Sequence, residues 1–170
     1  MTELLLVRHG ETDWNLERRV QGQTDIELNT TGIAQAHALA EALADVYLVG
    51  VVASDLARAR DTAAIVAEQQ RLELRLDPGL REKDFGTWEG LTDTEIAKRF
   101  PGALEGNWGD GETSEAVAAR AIAAVERARA VHPTGPVLVV SHGGPLRALL
   151  AHFEIRHRTI SNCAVFRVPY

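Results

Sequence analysis

Residues Leu4 to Thr12 read LLLVRHGET: four apolar side chains in succession, then an arginine, a histidine and a glycine with no transition between them. An uninterrupted apolar run of this length, with no polar alternation, predicts a strand covered on both faces, as in a parallel sheet packed between helices. The pattern recurs near the other end of the chain. VLVVS (137–141) is the strongest strand signal present, and it also ends on a His-Gly pair, His142 and Gly143. Two ionisable rings, each just past a buried strand, set the question that the remaining residues must answer.

Between these landmarks, strand and helix signals alternate. Asn29 or Thr31 caps a helix through about Asp45, with apolar positions at Ile33, Ala36, Leu39, Leu43 and Val46. A strand follows at Gly50–Ala53, then an Ala-rich helix with Ser54 as its N-cap and its end near Gln70, then a short strand around Leu74–Leu76. Residues 78–112 are rich in glycine and aromatics and hold one short helix, Asp93–Arg99, cut off by Pro101. Thr113 or Ser114 starts a helix to about Val131, and a helix from Pro145 to Phe153 and a strand near Ala164–Val168 close the chain. This order predicts a three-layer α/β/α sandwich with a mostly parallel central sheet, in one domain over 1–170. In such folds ligands gather beyond the carboxyl ends of the strands, where both His-Gly pairs fall.

Composition narrows the function classes. The 170 residues are 45% hydrophobic and 25% charged, enough to bury about 70% of the unfolded chain's surface. No apolar run approaches a membrane span and no secretory leader is visible, so a cytoplasmic location is expected. A formal net charge of −6 argues against nucleic-acid binding, so an anionic ligand must be met by a local cluster of positive charge. All 18 basic residues except Lys83 and Lys98 are arginines, so position has to identify the useful ones. The single cysteine, Cys163, lies in the apolar segment CAVFRV and reads as a buried strand thiol rather than a nucleophile. His37, His132, His152 and His157 match no metal-ligand spacing, and the GDG at 109–111 is too little for a nucleotide loop.

At the predicted sheet edge Arg8, His9, His142 and the amides of the helix that follows Ser54 would converge. Guanidinium groups and helix N-termini both suit phosphoryl oxygens. Arg58, in the first turns of that helix, would lean toward the same place while Arg60 faces elsewhere; spacing alone does not choose between them.

Five blocks carry a resemblance: RHGETDWN (8–15), RVQG (19–22), SDLARARDTA (54–63), LREKDFGTWEG (80–90) and SHGG (141–144). Together and in this order they resemble the histidine phosphatase superfamily, the phosphoglycerate mutase-like enzymes. The resemblance implies that His9 is the nucleophile and carries a transient phosphohistidine, and that Arg8 and Arg58 clamp the phosphoryl oxygens. It implies that His142 donates to those oxygens in the transition state and that Glu82 is the general acid and then the base, with Phe85 and Trp88 as its apolar surroundings. Asn15, Gln21, Gly22 and Gly143 match positions on the substrate side, whereas Trp14 and Trp88 read as packing. No metal or cofactor is implied, since arginines and histidines supply the positive charge, and a homodimer is left open.

The mutases of that family have a long insertion after the acid-bearing block. Here only about twenty residues separate Gly90 from Thr113, which points to water as acceptor and to the small phosphatases, of the α-ribazole or broad-specificity type. A cofactor-dependent phosphoglycerate mutase is the alternative reading, and a non-catalytic phospholigand-binding module a further one. GDGETS replaces the family's usual P-G-G-E-S, and the stretch between Leu146 and Cys163 is short; both changes fall on the rim where the leaving group would bind.

Overall fold

Five strands, β1 (Thr2–Arg8), β2 (Gly50–Ala53), β3 (Leu74–Leu76), β4 (Gly135–Ser141) and β5 (Val165–Pro169), form one sheet in the order β3-β2-β4-β1-β5. The structure, a computed structural model, describes residues 2–103, 108–157 and 159–170. The first four strands run parallel, and β5 pairs antiparallel with β1 at the edge. The helices are α1 (Asp13–Leu16), α2 (Thr30–Ala42), α3 (Ala57–Gln70), α4 (Asp93–Arg99), α5 (Ser114–Val131) and α6 (Gly143–His152).

Side chains of a strand alternate between faces, so the apolar run of β1 splits between two cores. Leu4 and Leu6 join Val52, Val137 and Val139 against Ala121 and Val125 of α5 and Leu146 and Leu149 of α6. Leu5 and Val7 join Val51, Leu138 and Val140 against Leu39 of α2, Leu43 just past its end, and Ala63 and Val66 of α3. Leu4 through Val7 are all fully buried. The chain leaves β1 toward α2 on one face and leaves β4 toward α6 on the other, so a crevice opens between the carboxyl ends of these two neighbouring strands.

Several boundaries differ from the sequence expectation. Asn29, not Thr31, caps α2, its side chain accepting the Gly32 N–H at 2.8 Å, and the helix stops at Ala42. Ile33 is exposed because Gly32 leads the buried stripe: a Cβ there would lie 2.1 Å from the Glu11 carbonyl oxygen. Ser54 does not cap α3. Its hydroxyl accepts the Leu56 N–H, and the first helical N–H, that of Ala57, bonds Asp25 Oδ1 at 2.7 Å from a distant loop. Thr113 is the cap of α5, and α6 starts at Gly143 with His142 at its N-cap, so Pro145 sits inside the first turn, where a missing N–H is harmless. Residues 13–16, expected as loop, form the one-turn α1. Cys163 lies outside β5, in a turn with φ of 57°, and its N–H donates to the Arg8 carbonyl at 2.8 Å. Burial raises its thiol pKa to about 11, against nucleophilic use. Residues 104–107 of the short stretch before Thr113, and residue 158 of the short stretch before Cys163, lie outside the described residues.

Because Leu6 is fully enclosed beneath α5 and α6, Leu6→Ala is expected to lower the unfolding free energy by about 2–5 kcal/mol. Urea denaturation of variant and parent measures it; a change below about 1 kcal/mol contradicts the two-faced burial of β1.

Candidate active site

The parallel register sets Arg8 opposite Ser141, and the His9 N–H donates to the Ser141 carbonyl at 3.0 Å. The next residue on each strand is a histidine, and the two rings stand 5.0 Å apart between centroids. His9 Nδ1 lies 2.7 Å from the Gly10 carbonyl oxygen. A carbonyl only accepts, so Nδ1 carries the proton and the lone pair of the neutral ring is on Nε2. Burial holds the His9 pKa well below 6.5, and the charges of Arg58 and Arg8 push the same way, against the bond to Gly10. His142 is held down likewise, by burial first and then Arg58, His9, Arg8 and Arg120.

Arg58 comes from the first turn of α3 and is fully buried. Its fork is aimed by two carbonyls, Nη2 donating to Gly22 at 2.7 Å and Nη1 to Thr24 at 3.0 Å. Burial lowers its pKa to about 10, still cationic at neutral pH. Arg8 Nη1 donates to the Ile160 carbonyl at 2.8 Å, and burial lowers its pKa too. Arg60 is elsewhere, partly exposed and paired with Asp61. Thr62 ties the strand end to the helix: it accepts the Gly10 N–H at 3.0 Å and donates to the Arg58 carbonyl at 2.7 Å.

Among the described residues, the buried side-chain nitrogens with no hydrogen-bond partner are Arg8 Nε, Arg58 Nε and both ring nitrogens of His142. Orphaned buried donors are costly and rare. That all of them fall in one spot, on two cations and a ring, marks a cradle shaped for an oxyanion.

Glu82 stands at one side. Its carboxylate accepts the N–H of Lys83 at 2.7 Å and that of Gly144, in the first turn of α6, at 3.1 Å. A Cβ on Gly144 would lie 2.3 Å from Glu82 Oε1, so a side chain there would push the carboxylate out of this position. Trp88 is buried against Phe100 and Trp108, and the Phe85 ring takes the Lys83 ammonium at 5.5 Å. The exposed helix amides expected after Ser54 are absent from the cradle, since Asp25 holds the start of α3. The helix start at the site is that of α6, which presents Gly143 and Gly144.

The substrate-side candidates divide. Gln21 is buried, its Oε1 accepting from the Thr12 hydroxyl, and the Gly22 carbonyl is committed to Arg58. Gly22 has φ of 54° and faces the Glu89 carboxylate at the position a Cβ would take. Asn15 uses Oδ1 to accept the Thr12 N–H in a capping box and the side-chain amide of Asn162 as well. Gln21, Gly22 and Asn15 thus shape the loop before they can touch a ligand.

Three positioning residues escaped the sequence reading. Arg120 donates to the carbonyls of Gly79, Arg81 and Glu82 while paired to Glu112, and so holds the backbone that carries Glu82. Glu89 accepts the N–H groups of Gln23 and Thr24. Asn162 donates to the His9 carbonyl at 2.8 Å and to Asn15. Nothing local distinguishes Arg120 or Asn162 in the sequence, whereas Glu89 stands inside the FGTWEG block.

The model of the histidine phosphatase superfamily (branch 1) matches residues 4–170. The chain is 39% identical over 154 residues to the uncharacterized phosphatase PhoE of Bacillus subtilis, covering 91% of this chain and 78% of that one. It is 36% identical over 184 residues to the probable phosphoglycerate mutase GpmB of an Enterobacter species, covering 100% and 86%. The solved mycobacterial glucosyl-3-phosphoglycerate phosphatase complexed with VO3 superposes with a TM-score of 0.88 at 35% identity, over 97% of this chain and 90% of that chain.

Both site histidines are neutral when buried, whereas unfolding lets each bind a proton below about pH 6.5, so stability is complete above that pH and falls as pH drops below it. Between pH 7.5 and 5.5 each ring is expected to remove about 1.4 kcal/mol. Urea midpoints at the two pH values should show a drop that is reduced by about half in His142→Gln; an undiminished drop would assign it to other groups.

Proposed function

The chain belongs to the histidine phosphatase superfamily, and we propose that it is a phosphomonoester hydrolase that acts on a small phosphorylated metabolite through a phosphohistidine at His9. The observation that carries this reading is the fixed tautomer of His9, with Nδ1 tied to Gly10 and an unprotonated Nε2 beside a set of unpartnered buried donors.

In the first step His9 Nε2 attacks phosphorus, and the bond between phosphorus and the leaving oxygen breaks. Glu82, protonated for this step, gives its proton to the departing alkoxide. The ring becomes a phosphorylated imidazolium whose Nδ1–H keeps its bond to Gly10. Arg8, Arg58 and His142 meet the three equatorial oxygens, and because carbonyls and packing already aim the arginines, little reorganisation is required. In the second step Glu82, now a carboxylate, takes a proton from water as that water attacks phosphorus. His9 leaves with its lone pair restored on Nε2, and inorganic phosphate departs.

Water is favoured over a second phosphorylated acid as acceptor. Two of the three relatives described above carry phosphatase names, and one a mutase name. Among the described residues of 91–112, none hydrogen-bonds Arg8, His9, Arg58 or His142, although Trp108 lines the cleft that also borders Lys83 and Gly144. A single domain over 1–170 and a cytoplasmic location belong to the same proposal. No helix among the described residues is long and apolar enough to cross a membrane.

His9→Ala is expected to lower kcat for p-nitrophenyl phosphate by at least about a thousandfold. A variant as fast as the parent removes the covalent mechanism. Glu82→Gln is expected to reduce kcat/KM by about 10²–10⁴-fold for an alkyl ester such as glycerol 3-phosphate, and by much less for p-nitrophenyl phosphate, whose leaving group needs no proton. Equal losses on the two would deny Glu82 the acid role. With 2- and 3-phosphoglycerate and the bisphosphate activator, phosphate release is expected to outpace interconversion; the reverse order selects the mutase.

A further inference from the structure

The segment that carries Glu82 has no regular structure of its own. After the turn at 78–80, residues 81–85 are neither helix nor strand, so their backbone groups must find partners elsewhere. Ser141, at the end of β4, donates its hydroxyl to the Leu80 carbonyl at 2.7 Å. The carbonyls of Gly79, Arg81 and Glu82 converge on one side chain, Arg120 of α5. A guanidinium has five N–H donors in a fixed fork. Three go to these carbonyls and the other two to the Glu112 carboxylate, Nε to Oε1 at 2.6 Å and Nη2 to Oε2 at 2.8 Å. With every donor committed, Arg120 fits only one placement of residues 79–82.

Glu112 fastens the far side of Glu82. Hydrogen bonds from Arg120 hold its carboxyl below the usual carboxylate range, against partial burial. Its Oε2 also accepts the Asp84 N–H at 3.2 Å, while its own N–H donates to the Asp84 carbonyl at 2.8 Å. The residues just before it extend the attachment, since Asp110 accepts both the N–H and the hydroxyl of Thr87. A Cβ on Gly109 would lie 2.7 Å from the Phe85 carbonyl oxygen, and one on Gly111 2.5 Å from that of Asp84. The GDGE of 109–112, too little for a nucleotide loop, is thus a strap laid along 84–87, and Arg120 joins it to 79–82.

We propose that Arg120 and Glu112 are the positioning pair of the general acid, fixing the backbone on both sides of Glu82 so that its carboxyl meets the leaving oxygen. This rests on the phosphomonoesterase reading of the same site. The carboxylate itself is steered by the N–H groups of Lys83 and Gly144, and the first of these belongs to the strapped segment. Proton transfer in the transition state tolerates little misplacement, about an ångström costing up to a hundredfold. Among the described residues neither Arg120 nor Glu112 hydrogen-bonds Arg8, His9, Arg58 or His142, although the Arg120 charge reaches His142. An effect through that charge falls on every ester alike. An effect through Glu82 falls on esters whose leaving group needs a proton.

Glycerol 3-phosphate and p-nitrophenyl phosphate separate the two. Arg120→Gln is expected to lower kcat for glycerol 3-phosphate by about 10- to 100-fold, and for p-nitrophenyl phosphate several-fold less. Glu112→Gln, which keeps the size and one acceptor, should show the same selectivity at roughly 3- to 10-fold. Added to Glu82→Gln, Arg120→Gln should cost less than about threefold on glycerol 3-phosphate, because the group it positions has already gone. Equal losses on the two esters, losses that multiply in the double variant, or single variants as fast as the parent overturn the inference. Where Arg120→Gln does not fold, Glu112→Gln and its combination with Glu82→Gln give the same comparison. Selective loss in Glu82→Gln alone overturns the inference and leaves the phosphatase reading intact. A parent that turns over neither ester overturns that reading and the inference with it.

Discussion

The pairing of β1 with β4 is the constraint on which the rest of the site depends. Seven consecutive partners, from Thr2 with Gly135 to Arg8 with Ser141, place the two strand ends level. The first N–H past the ladder, that of His9, extends it by one more bond. A slip of one residue would exchange the faces of Leu4–Val7 and carry His9 and His142 apart. Both faces of β1 are buried under different helices, so neither core can accept that exchange. The 5.0 Å between the rings is thus guarded by hydrophobic packing rather than by any bond between them.

What the sheet edge holds is electrostatically expensive. Two guanidinium groups and two imidazoles are enclosed together, and the cost is visible in the lowered pKa values of all four. The acids that would ordinarily neutralise such a cluster are kept at a distance: Glu82 bonds backbone N–H groups, Glu89 holds the 23–24 loop and Asp25 caps α3. Carbonyls of Gly22, Thr24 and Ile160 hold the arginines in direction without cancelling their charge. A cradle built this way stays positive for an incoming dianion, and the same charge keeps His9 unprotonated and nucleophilic. Stability has been traded for that readiness, as strained functional sites generally require.

Legibility followed the range of the interaction. Strands with continuous apolar runs and helices with a local cap could be read directly, as with β4, or α5 behind Thr113. Where the partner is distant in the chain, the reading failed. Ser54 looked like a cap because it is local, but Asp25, thirty-two residues from Ala57, performs the task. Ile33 fits a helical stripe, yet the close backbone approach of Glu11 turned Gly32 inward instead. The partners of Trp88, Phe100 and Trp108, lie twelve and twenty residues further along the chain and are set by packing alone. Arg120 was invisible among so many arginines, since its role exists only once the 79–82 carbonyls gather around it.

The sequence by itself determined the layered α/β class, the sheet edge that bears the chemistry, and the residue types delivered there, because periodicity and strand ends are local properties. The likeness of five ordered blocks added a family, to which the chain does belong. Only the tertiary structure decided which nitrogen of His9 keeps its proton and which helix start faces the cradle. Tautomers, caps and charge balance depend on partners far apart in the chain, and the folded arrangement is what brings those partners together.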